Sequence, residues 1–197
     1  MVLPRSAELG RWLFRHRTWL PVPFAIALLI VSPPKTLAVV RWGPILILAG
    51  EALRIWAVRH IGVISRTRAD RSGPLVLTGP FAIVRNPLYV GNLLLWSGMA
   101  CWAGALWAVP VSWLIFLPYY VLISRWEEHL LQTRLGDPYR TYQHRVNAWL
   151  PHLRVSADVF APASHTWRET FFSERGTLVA IVVMGSLLSM KIAWGRF

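Results

Sequence analysis

The stretch of sequence that decides the fold is residues 88–124, which read LYVGNLLLWSGMACWAGALWAVPVSWLIFLPYYVLIS. This run contains no Asp, Glu, Lys or Arg. A single helix needs only about 20 apolar residues to cross the hydrocarbon core of a bilayer. Because the run is much longer than that, we expect two spans joined by a turn near Ala103-Gly104-Ala105. The sequence therefore predicts a helical hairpin in a membrane.

Three further apolar segments lie on either side of the hairpin. The residues Ser32-Pro33-Pro34-Lys35 separate the first two of them, because a helix does not continue through such a turn. The three segments cover about Thr18–Val31, Thr36–Val58 and Thr177–Trp194. The predicted fold is all-α, a single domain over residues 1–197 that forms a polytopic transmembrane helical bundle of about five spans.

The composition supports a membrane location. Charged residues make up 15% of the chain and hydrophobic residues 55%, whereas an ordinary soluble domain carries about 25% charged residues. The formal net charge is +12, but Lys and Arg occur in clusters between apolar segments instead of along one basic face, so we expect no nucleic-acid partner. The single cysteine, Cys101, excludes a disulfide framework and a cysteine-based metal site.

The distribution of Lys and Arg predicts the orientation in the membrane. These residues gather before the first span, between the second and third spans, and between the fourth and fifth. Basic residues favour the cytoplasmic side of a membrane. A basic start followed by an apolar run is also typical of a secretory signal peptide, but no small-residue cleavage site follows, which favours an uncleaved span. We expect an integral membrane protein with a cytoplasmic N-terminus.

Local signals predict how the helices after the hairpin begin and end. Gly136 is expected to stop the helix that carries the fourth span, and Asp137 to cap the next one. Thr166 and Glu169 have the spacing of a capping box, which predicts an amphipathic helix that ends at Gly176.

Two polar motifs at the edges of the hairpin are candidates for binding or catalysis. Glu127 and Glu128 follow the fourth span, where a carboxylate can accept hydrogen bonds from a ligand; the alternative is a solvated helix face paired with arginine. Arg85-Asn86-Pro87, followed by Tyr89, opens the third span. Proline pushes the preceding asparagine out of the helical region and leaves its amide free for a ligand. The alternative is helix capping with interfacial Tyr and Arg.

Glu51 and Arg54 are candidates of a different kind, because they lie within the second span. Their spacing of three residues puts them on one helix face. Charged side chains at membrane depth are costly and therefore indicate function, although a structural pair near the helix end is an equal alternative. The six histidines have no recurrent ligand spacing, and no common nucleotide-binding or zinc-binding motif is present, so we expect no metal site.

Read together, the two edge motifs resemble those of a known family. The chain is similar to the isoprenylcysteine carboxyl methyltransferase and phospholipid methyltransferase group of integral membrane enzymes over about residues 73–151. The resemblance depends on the order and spacing of two sets of residues. These are Leu75-Val76-Leu77-Thr78-Gly79-Pro80-Phe81 with Arg85-Asn86-Pro87-Leu88-Tyr89-Val90-Gly91, and Glu127-Glu128 with Leu131, Gly136, Tyr139, Tyr142, Val146 and Pro151. The predicted span near the C-terminus lies outside this range.

The resemblance implies a helical bundle that binds S-adenosylmethionine at its cytoplasmic side, between the motif at residues 85–91 and the acidic pair. It places the adenosyl group against Leu75 and Val76, with Phe81 at a position where the family has tyrosine. The cradle around the cofactor would include the segment from Asn86 through Pro87, Leu88 and Tyr89 to Gly91. Glu127 or Glu128 would hold polar groups of the cofactor.

The chain departs from the family pattern at three positions, of which the third concerns the substrate. Asn86 replaces the family histidine; its amide donates and accepts hydrogen bonds but does not titrate. Phe81 lacks the hydroxyl of the tyrosine that the family has at this position. Members that methylate prenylcysteine carboxylates carry an arginine one helical turn before the acidic pair. Ile123 takes this position, and Arg125 is close but out of register. This third difference disfavours recognition of a carboxylate.

Three functions remain open. The first is methyl transfer from S-adenosylmethionine to a lipid-like or isoprenylcysteine-type amphiphile, the second is N-methylation of a phospholipid amine, and the third is a non-catalytic membrane scaffold. For the enzyme, we expect Glu128, Glu127 and Arg85 to be catalytic, with Glu128 favoured as the cofactor contact. We expect Glu51, Arg54 and Arg125 to meet the headgroup of the acceptor.

Overall fold

The computed structural model describes residues 5–30, 38–62, 74–151 and 156–194. Within these ranges the chain forms seven α-helices and no strand, which confirms the all-α prediction. The helices are α1 (Arg5–Arg15), α2 (Val22–Ile30), α3 (Trp42–Ile61), α4 (Pro87–Trp102), α5 (Ala108–Leu135), α6 (Asp137–Arg145) and α7 (Trp167–Trp194). Two short 3-10 turns cover Gly79–Ala82 and Ala157–Phe160.

The predicted hairpin is confirmed as α4 and α5. The apolar run breaks at Ala103, next to Gly104, whose φ of 75° lies in the left-handed region that favours glycine. The second helix of the hairpin then continues through the acidic pair to Leu135, so Glu127 and Glu128 are parts of α5. The two polar motifs therefore lie at the same end of the hairpin.

Two of the described helices are long and apolar enough to cross a membrane, namely α5 and α7 with 28 residues each. The remaining predicted spans are helical but shorter, with 9 residues in α2, 20 in α3 and 16 in α4. The first span was predicted to start near Thr18, but its helix begins at Val22, between Pro21 and Pro23, because proline fits only the first turn of a helix. Its predicted last residue, Val31, lies outside the described residues.

The outer surface of the bundle carries large apolar side chains. Leu48 on α3 is 70% exposed, Leu114 on α5 is 76% exposed and Val182 on α7 is 66% exposed. Many exposed large apolar side chains are unusual on a soluble monomer. Together with the long apolar helices, it supports a bundle surrounded by lipid.

The structure extends α7 beyond its predicted start. The capping box is confirmed, because the Thr166 backbone N–H donates to the Glu169 carboxylate at 2.8 Å and the Glu169 N–H donates to the Thr166 hydroxyl at 3.3 Å. The prediction that this helix ends at Gly176 is wrong. Positive φ values in the described residues occur at other glycines, and a glycine in a right-handed conformation weakens a helix without ending it. The amphipathic segment and the fifth apolar segment are one helix.

Gly136 does end a helix, as predicted. It separates α5 from α6 and has a φ of 61°. The expected cap at Asp137 is wrong by one position: Asp137 is the first residue of α6, and its carboxylate lies 3.5 Å from Nη1 of Arg140.

Close backbone contact joins α3 to α4. A Cβ atom on Gly50 would lie 2.7 Å from the carbonyl oxygen of Gly91, and one on Gly43 would lie 2.8 Å from the carbonyl oxygen of Gly98. The two pairs show that the helices run antiparallel, with the N-terminal half of α3 against the C-terminal half of α4. Small residues at such crossings allow membrane helices to approach closely.

This contact predicts a stability difference between two glycines. We expect Gly50→Ala to destabilise the protein by about 1 to 3 kcal/mol, because the added methyl group meets backbone that cannot move aside. Gly176→Ala is the matched control, since a Cβ there meets nothing within 4 Å, and alanine is the better helix former. Thermal unfolding in detergent measures both. A melting temperature for Gly50→Ala equal to that of Gly176→Ala would contradict the close contact.

The C-terminal end of α3, the N-terminal ends of α4 and α7, and the C-terminal end of α5 gather at one end of the bundle. Loops are tied together there: the Arg85 N–H donates to the carbonyl of Asn147 at 2.9 Å, and the His165 N–H donates to the carbonyl of Arg59 at 3.0 Å. At this end the 74–86 segment and α6 lie beside each other, and both contribute residues to the candidate site.

Candidate active site

A cavity of about 770 Å³ opens within this end of the bundle. Its size is in the range of ordinary ligand pockets, about 300 to 1,000 Å³. Residues from the start of α2, the end of α3, the 74–76 segment, α4, α5, α6 and α7 form its walls. Most of the residues predicted for the site line it, namely Leu75, Val76, Phe81, Arg85, Asn86, Pro87, Leu88, Tyr89, Glu127, Glu128 and Arg54.

Arg85 and Glu128 form an ion pair at the cavity wall. The Nη2 and Nε atoms of Arg85 donate to the same oxygen of Glu128, at 2.9 and 3.1 Å. The remaining Nη1 donates to the carbonyls of Gln143 at 3.0 Å and Val146 at 2.8 Å. The side chains are 14% and 21% exposed. Arg85 therefore joins the start of α4 to the end of α5 and to the segment that follows α6.

Asn86 precedes α4 with a non-helical backbone, as predicted from Pro87. Its φ is −117° and its ψ is 53°. The side chain makes no capping hydrogen bond to the helix; instead its amide donates to the carbonyl of Ala148 at 3.1 Å. The capping alternative is therefore not supported, and the side chain lies at the cavity wall with only 9% of the residue exposed.

Glu127 and Tyr89 meet across the hairpin. The Tyr89 hydroxyl donates to Oε2 of Glu127 at 3.0 Å. The ring of Tyr89 is stacked on that of Tyr120, with centroids 5.0 Å apart and an interplanar angle of 19°. The two glutamates thus have different partners, since Glu128 pairs with Arg85 and Glu127 with Tyr89.

An aromatic wall covers the side of the cavity next to α6. Tyr139 and Tyr142 are buried and pack with Leu75. The Tyr142 hydroxyl donates to the carbonyl of Phe81 at 2.8 Å. Burial raises the pKa of the Tyr142 hydroxyl above its usual value, so this group stays a neutral donor near neutral pH. Leu75 and Phe81 are therefore both held against the tyrosines of α6.

A second polar cluster lies along the cavity on α3, α4 and α7. Arg54 donates from Nη1 to Asn92, and from Nη2 to Glu174 at 2.6 Å and to Thr177 at 3.2 Å. Its Nε lies 3.3 Å from the carboxylate of Glu51. Arg54, Asn92, Glu174 and Thr177 line the cavity, whereas Glu51 lies behind Arg54.

Two other predicted site residues lie outside the cavity lining. Gly91 packs against the backbone of Gly50 and the side chain of Arg54, so any role in the cradle is indirect. Arg125 is exposed on the outside of α5, while Ile123 lines the cavity. The structure does not bring Arg125 to the other candidates, because a step of two positions along α5 from Ile123 turns it to the opposite helix face.

Three polar residues of the cluster around Arg54 are not predicted from the sequence. Asn92, Glu174 and Thr177 complete the cluster around Arg54. A carboxylate close to a long apolar segment is the signal that indicates Glu174, because charge near membrane depth is costly.

The sequence profile of a known family, phospholipid methyltransferase, matches residues 39–137. The match begins just before α3 and ends at the start of α6. It therefore includes the Arg85 turn, the hairpin and the acidic pair, whereas α1, α2 and α7 lie outside it.

The chain is also similar to two curated proteins. It is 28% identical over 102 residues to the nickel-cobalt-cadmium resistance protein NccN of Alcaligenes xylosoxydans xylosoxydans, a match that covers 52% of this chain and 45% of that protein. It is 28% identical over 165 residues to the cobalt-zinc-cadmium resistance protein CzcN of Cupriavidus metallidurans, with 76% of this chain and 70% of that protein covered. The chain thus spans less than half the length of the first relative. No solved structure matches.

Proposed function

Because the chain belongs to the phospholipid methyltransferase family, we propose that it transfers a methyl group from S-adenosylmethionine to a lipid-like amphiphile at the cytoplasmic face of a membrane. One observation carries this proposal. The motif that begins at Arg85 and the acidic pair Glu127-Glu128 are 43 residues apart in sequence, when counted from Arg85 to Glu128, yet they meet at one cavity. The clustering of arginines at this end of the bundle supports the cytoplasmic assignment.

The cavity residues fit the chemical groups of the cofactor. S-adenosylmethionine combines a zwitterionic amino-acid end, ribose hydroxyls and a flat adenine ring. Arg85, Asn86 and Glu128 supply both charges and an amide at one wall, and the aromatic wall of α6 with Leu75 supplies an apolar surface. We assign the polar end of the cofactor to the first group and the adenosyl group to the second.

The bound cofactor supplies a methyl carbon on a sulfonium, to which the acceptor lone pair forms a bond as the C–S bond breaks and a neutral thioether leaves. The protein contributes positioning and the exclusion of water, which together can lower such a barrier by about 7 to 11 kcal/mol. The stacked rings of Tyr89 and Tyr120 present aromatic surface in the same cavity, and such surface attracts a cation.

Glu127 is the candidate base when the acceptor is an amine. Methylation turns a neutral amine into an ammonium that must lose one of its own N–H protons, and a carboxylate within the cavity can take it. Glu127 lines the cavity and is held by the Tyr89 hydroxyl. Glu128 is less suited to this step, because its carboxylate is paired with Arg85.

The second candidate function is N-methylation of a phospholipid amine. Ile123 is fully buried at the cavity wall, where the carboxylate-methylating members carry arginine. An apolar side chain offers no counter-charge to an acid, which favours the amine over the isoprenylcysteine-type acceptor. A third possibility, a scaffold without activity, differs from both in that it needs no cofactor.

Methyl labelling tests the proposal. Membranes that contain the protein are incubated with methyl-labelled S-adenosylmethionine, and the lipid extract is separated by headgroup. We expect label in one lipid class, absent when Glu127 and Glu128 are both replaced by Gln. Cofactor binding to purified protein by calorimetry is the second measurement. Failure to bind and failure to label would together support the scaffold.

Asn86 provides a separate test of the cofactor site. We expect Asn86→Ala to weaken cofactor binding by about ten- to a hundredfold, because a lost hydrogen bond to a charged group costs about 1.5 to 3 kcal/mol. Asn86→His should retain binding if this position matches the family histidine. Calorimetry on folded protein in detergent measures both. Unchanged affinity in Asn86→Ala would remove Asn86 from the cofactor site.

A further inference from the structure

Helix α7 presents one face to the cavity, although it lies outside the part of the chain that the family profile matches. This face contains Glu174, Thr177, Ile181 and Met184, all of which line the cavity. Their spacings of three and four residues place them on one side of the helix. Polar residues come first along the face and apolar ones follow.

A buried ion pair fixes this face to α3. Nη2 of Arg54 lies 2.6 Å from Oε2 of Glu174, and the two side chains are 7% and 0% exposed. The Thr177 hydroxyl accepts from the same Nη2 at 3.2 Å. Because Glu174 is wholly buried, it acts on a ligand through Arg54 and through its charge, which makes it a positioning residue.

The charges around Arg54 favour a cationic headgroup. Carboxylates of Glu51 and Glu174 both contact this one guanidinium. Among the described residues, the charged side chains that line the cavity are Arg17, Arg54, Arg85, Glu127, Glu128 and Glu174. Cations and anions balance in this set, and Glu51 behind Arg54 adds a further carboxylate. The neutralised guanidinium is a poor site for an acid, whereas the excess negative charge attracts an ammonium group.

The apolar part of the face continues into a path for a hydrocarbon chain. Ile181 and Met184 face the cavity opposite Leu95 and Met99 of α4, which also line it. Aliphatic and thioether side chains of this kind adapt to flexible chains. The polar cluster around Arg54 is thus followed by apolar surface along the same helix.

We propose that this α7 face is the acceptor-binding wall of the enzyme, and that it selects an amphiphile whose headgroup carries an amine. The headgroup lies at the Arg54–Glu174 cluster and the chain lies along Ile181 and Met184. This proposal rests on the proposed methyl transfer, because the bound amphiphile is an acceptor only if the protein transfers a methyl group to it. It adds that a helix outside the matched family region selects the substrate, while residues 75–142 hold the cofactor.

A pair of adjacent substitutions on α7 tests the wall. Ile181→Trp fills the cavity, whereas Val182→Trp, the matched control, points outward from a residue that is 66% exposed. For the lipid extract that accepts label, we expect Ile181→Trp to raise KM by about tenfold, with the cofactor Kd unchanged, and Val182→Trp to leave both unchanged. Equal effects of the two substitutions, or a changed cofactor Kd in Ile181→Trp alone, would overturn the assignment.

A pair of probes tests the charge preference without activity. Octylamine and octanoic acid have equal chains and opposite charges at pH 7, and ligand binding raises the melting temperature of the protein in proportion to affinity. We expect wild-type protein to bind octylamine about tenfold more tightly than octanoic acid. Glu174→Gln should remove this difference and Glu174→Asp should keep it. If Glu174→Gln does not fold, the two α7 variants replace it. Loss of octylamine binding in Ile181→Trp but not in Val182→Trp would support the amine site on α7, and equal binding in both would refute it.

The outcomes separate the two proposals. Octylamine selectivity in a protein that binds no S-adenosylmethionine would refute the methyl transfer and support the amine site. Cofactor binding with no preference between the two probes in wild-type protein would refute the amine site and leave methyl transfer standing.

Discussion

Arg85→Ala is expected to lower the affinity for S-adenosylmethionine by about a hundredfold or more. The substitution removes the partner of Glu128 and the two hydrogen bonds that Nη1 donates to the carbonyls of Gln143 and Val146. Removing one partner of a fully buried ion pair costs about 3 to 5 kcal/mol, and this partly buried pair is expected to cost less. The lost contacts also join α4, α5 and the segment after α6, so the cavity wall itself is expected to open. Calorimetry measures the affinity, and thermal unfolding measures the loss of stability.

Arg125→Ala is the matched control for Arg85→Ala. Arg125 lies on the same end of the bundle but is exposed and outside the cavity lining. Surface substitutions of this kind change stability by about 0.5 kcal/mol or less. Arg85→Lys adds a second comparison, because lysine keeps the charge but lacks the planar fork of arginine. Equal cofactor affinities in Arg85→Ala and Arg125→Ala would show that the ion pair does not organise the site.

Glu127→Gln is expected to lower kcat by about 10²- to 10⁴-fold with little change in cofactor affinity. The amide keeps the size of the side chain and can still accept from the Tyr89 hydroxyl, but it cannot take up a proton. General base catalysis contributes about this factor. Transfer of labelled methyl to the lipid extract measures kcat, and calorimetry measures the affinity.

Glu128→Gln is expected to have the opposite profile. It removes the charge that Arg85 contacts, so cofactor affinity should fall while kcat at saturating cofactor changes less. The two adjacent residues point about 100° apart on α5, and the structure gives them different partners. The same profile for both substitutions, whether in kcat or in affinity, would contradict this division of roles.

The parts of the fold that could be predicted are those with a local sequence signal. The hairpin follows from the length of the uncharged run, its turn from Ala103-Gly104-Ala105, and the end of α5 from Gly136. The capping box at Thr166 and Glu169 is likewise a signal within one turn. These features depend on residues close together in the chain, so composition and spacing are sufficient for them.

The arrangement around Arg54 could not be predicted in the same way. Arg54 and Glu174 are 120 residues apart, and no periodicity within either helix indicates that they meet. The sequence pairs Arg54 with Glu51, its neighbour on α3, and suggests Arg125 because it lies close to the position where family members carry arginine. The structure keeps the first contact and turns Arg125 outward, because helix rotation and packing of α7 are tertiary properties. Gly91 is assigned to the cradle as part of the motif that carries the family resemblance, and its packing against α3 is likewise a tertiary property.

Gly91 links the packing of α3 on α4 to the position of the Arg54 side chain. The missing side chain at this position allows α3 and α4 to touch, and it also gives the aliphatic stem of Arg54 its passage, since a Cβ on Gly91 would lie 2.6 Å from Cγ of Arg54. The absence of a side chain at Gly91 thus determines both the spacing of α3 and α4 and the path by which the Arg54 guanidinium extends to Asn92. The position of the Arg54 charge therefore depends on the distance between the backbones of α3 and α4. A substitution at Gly91 that changes this distance also moves the charge.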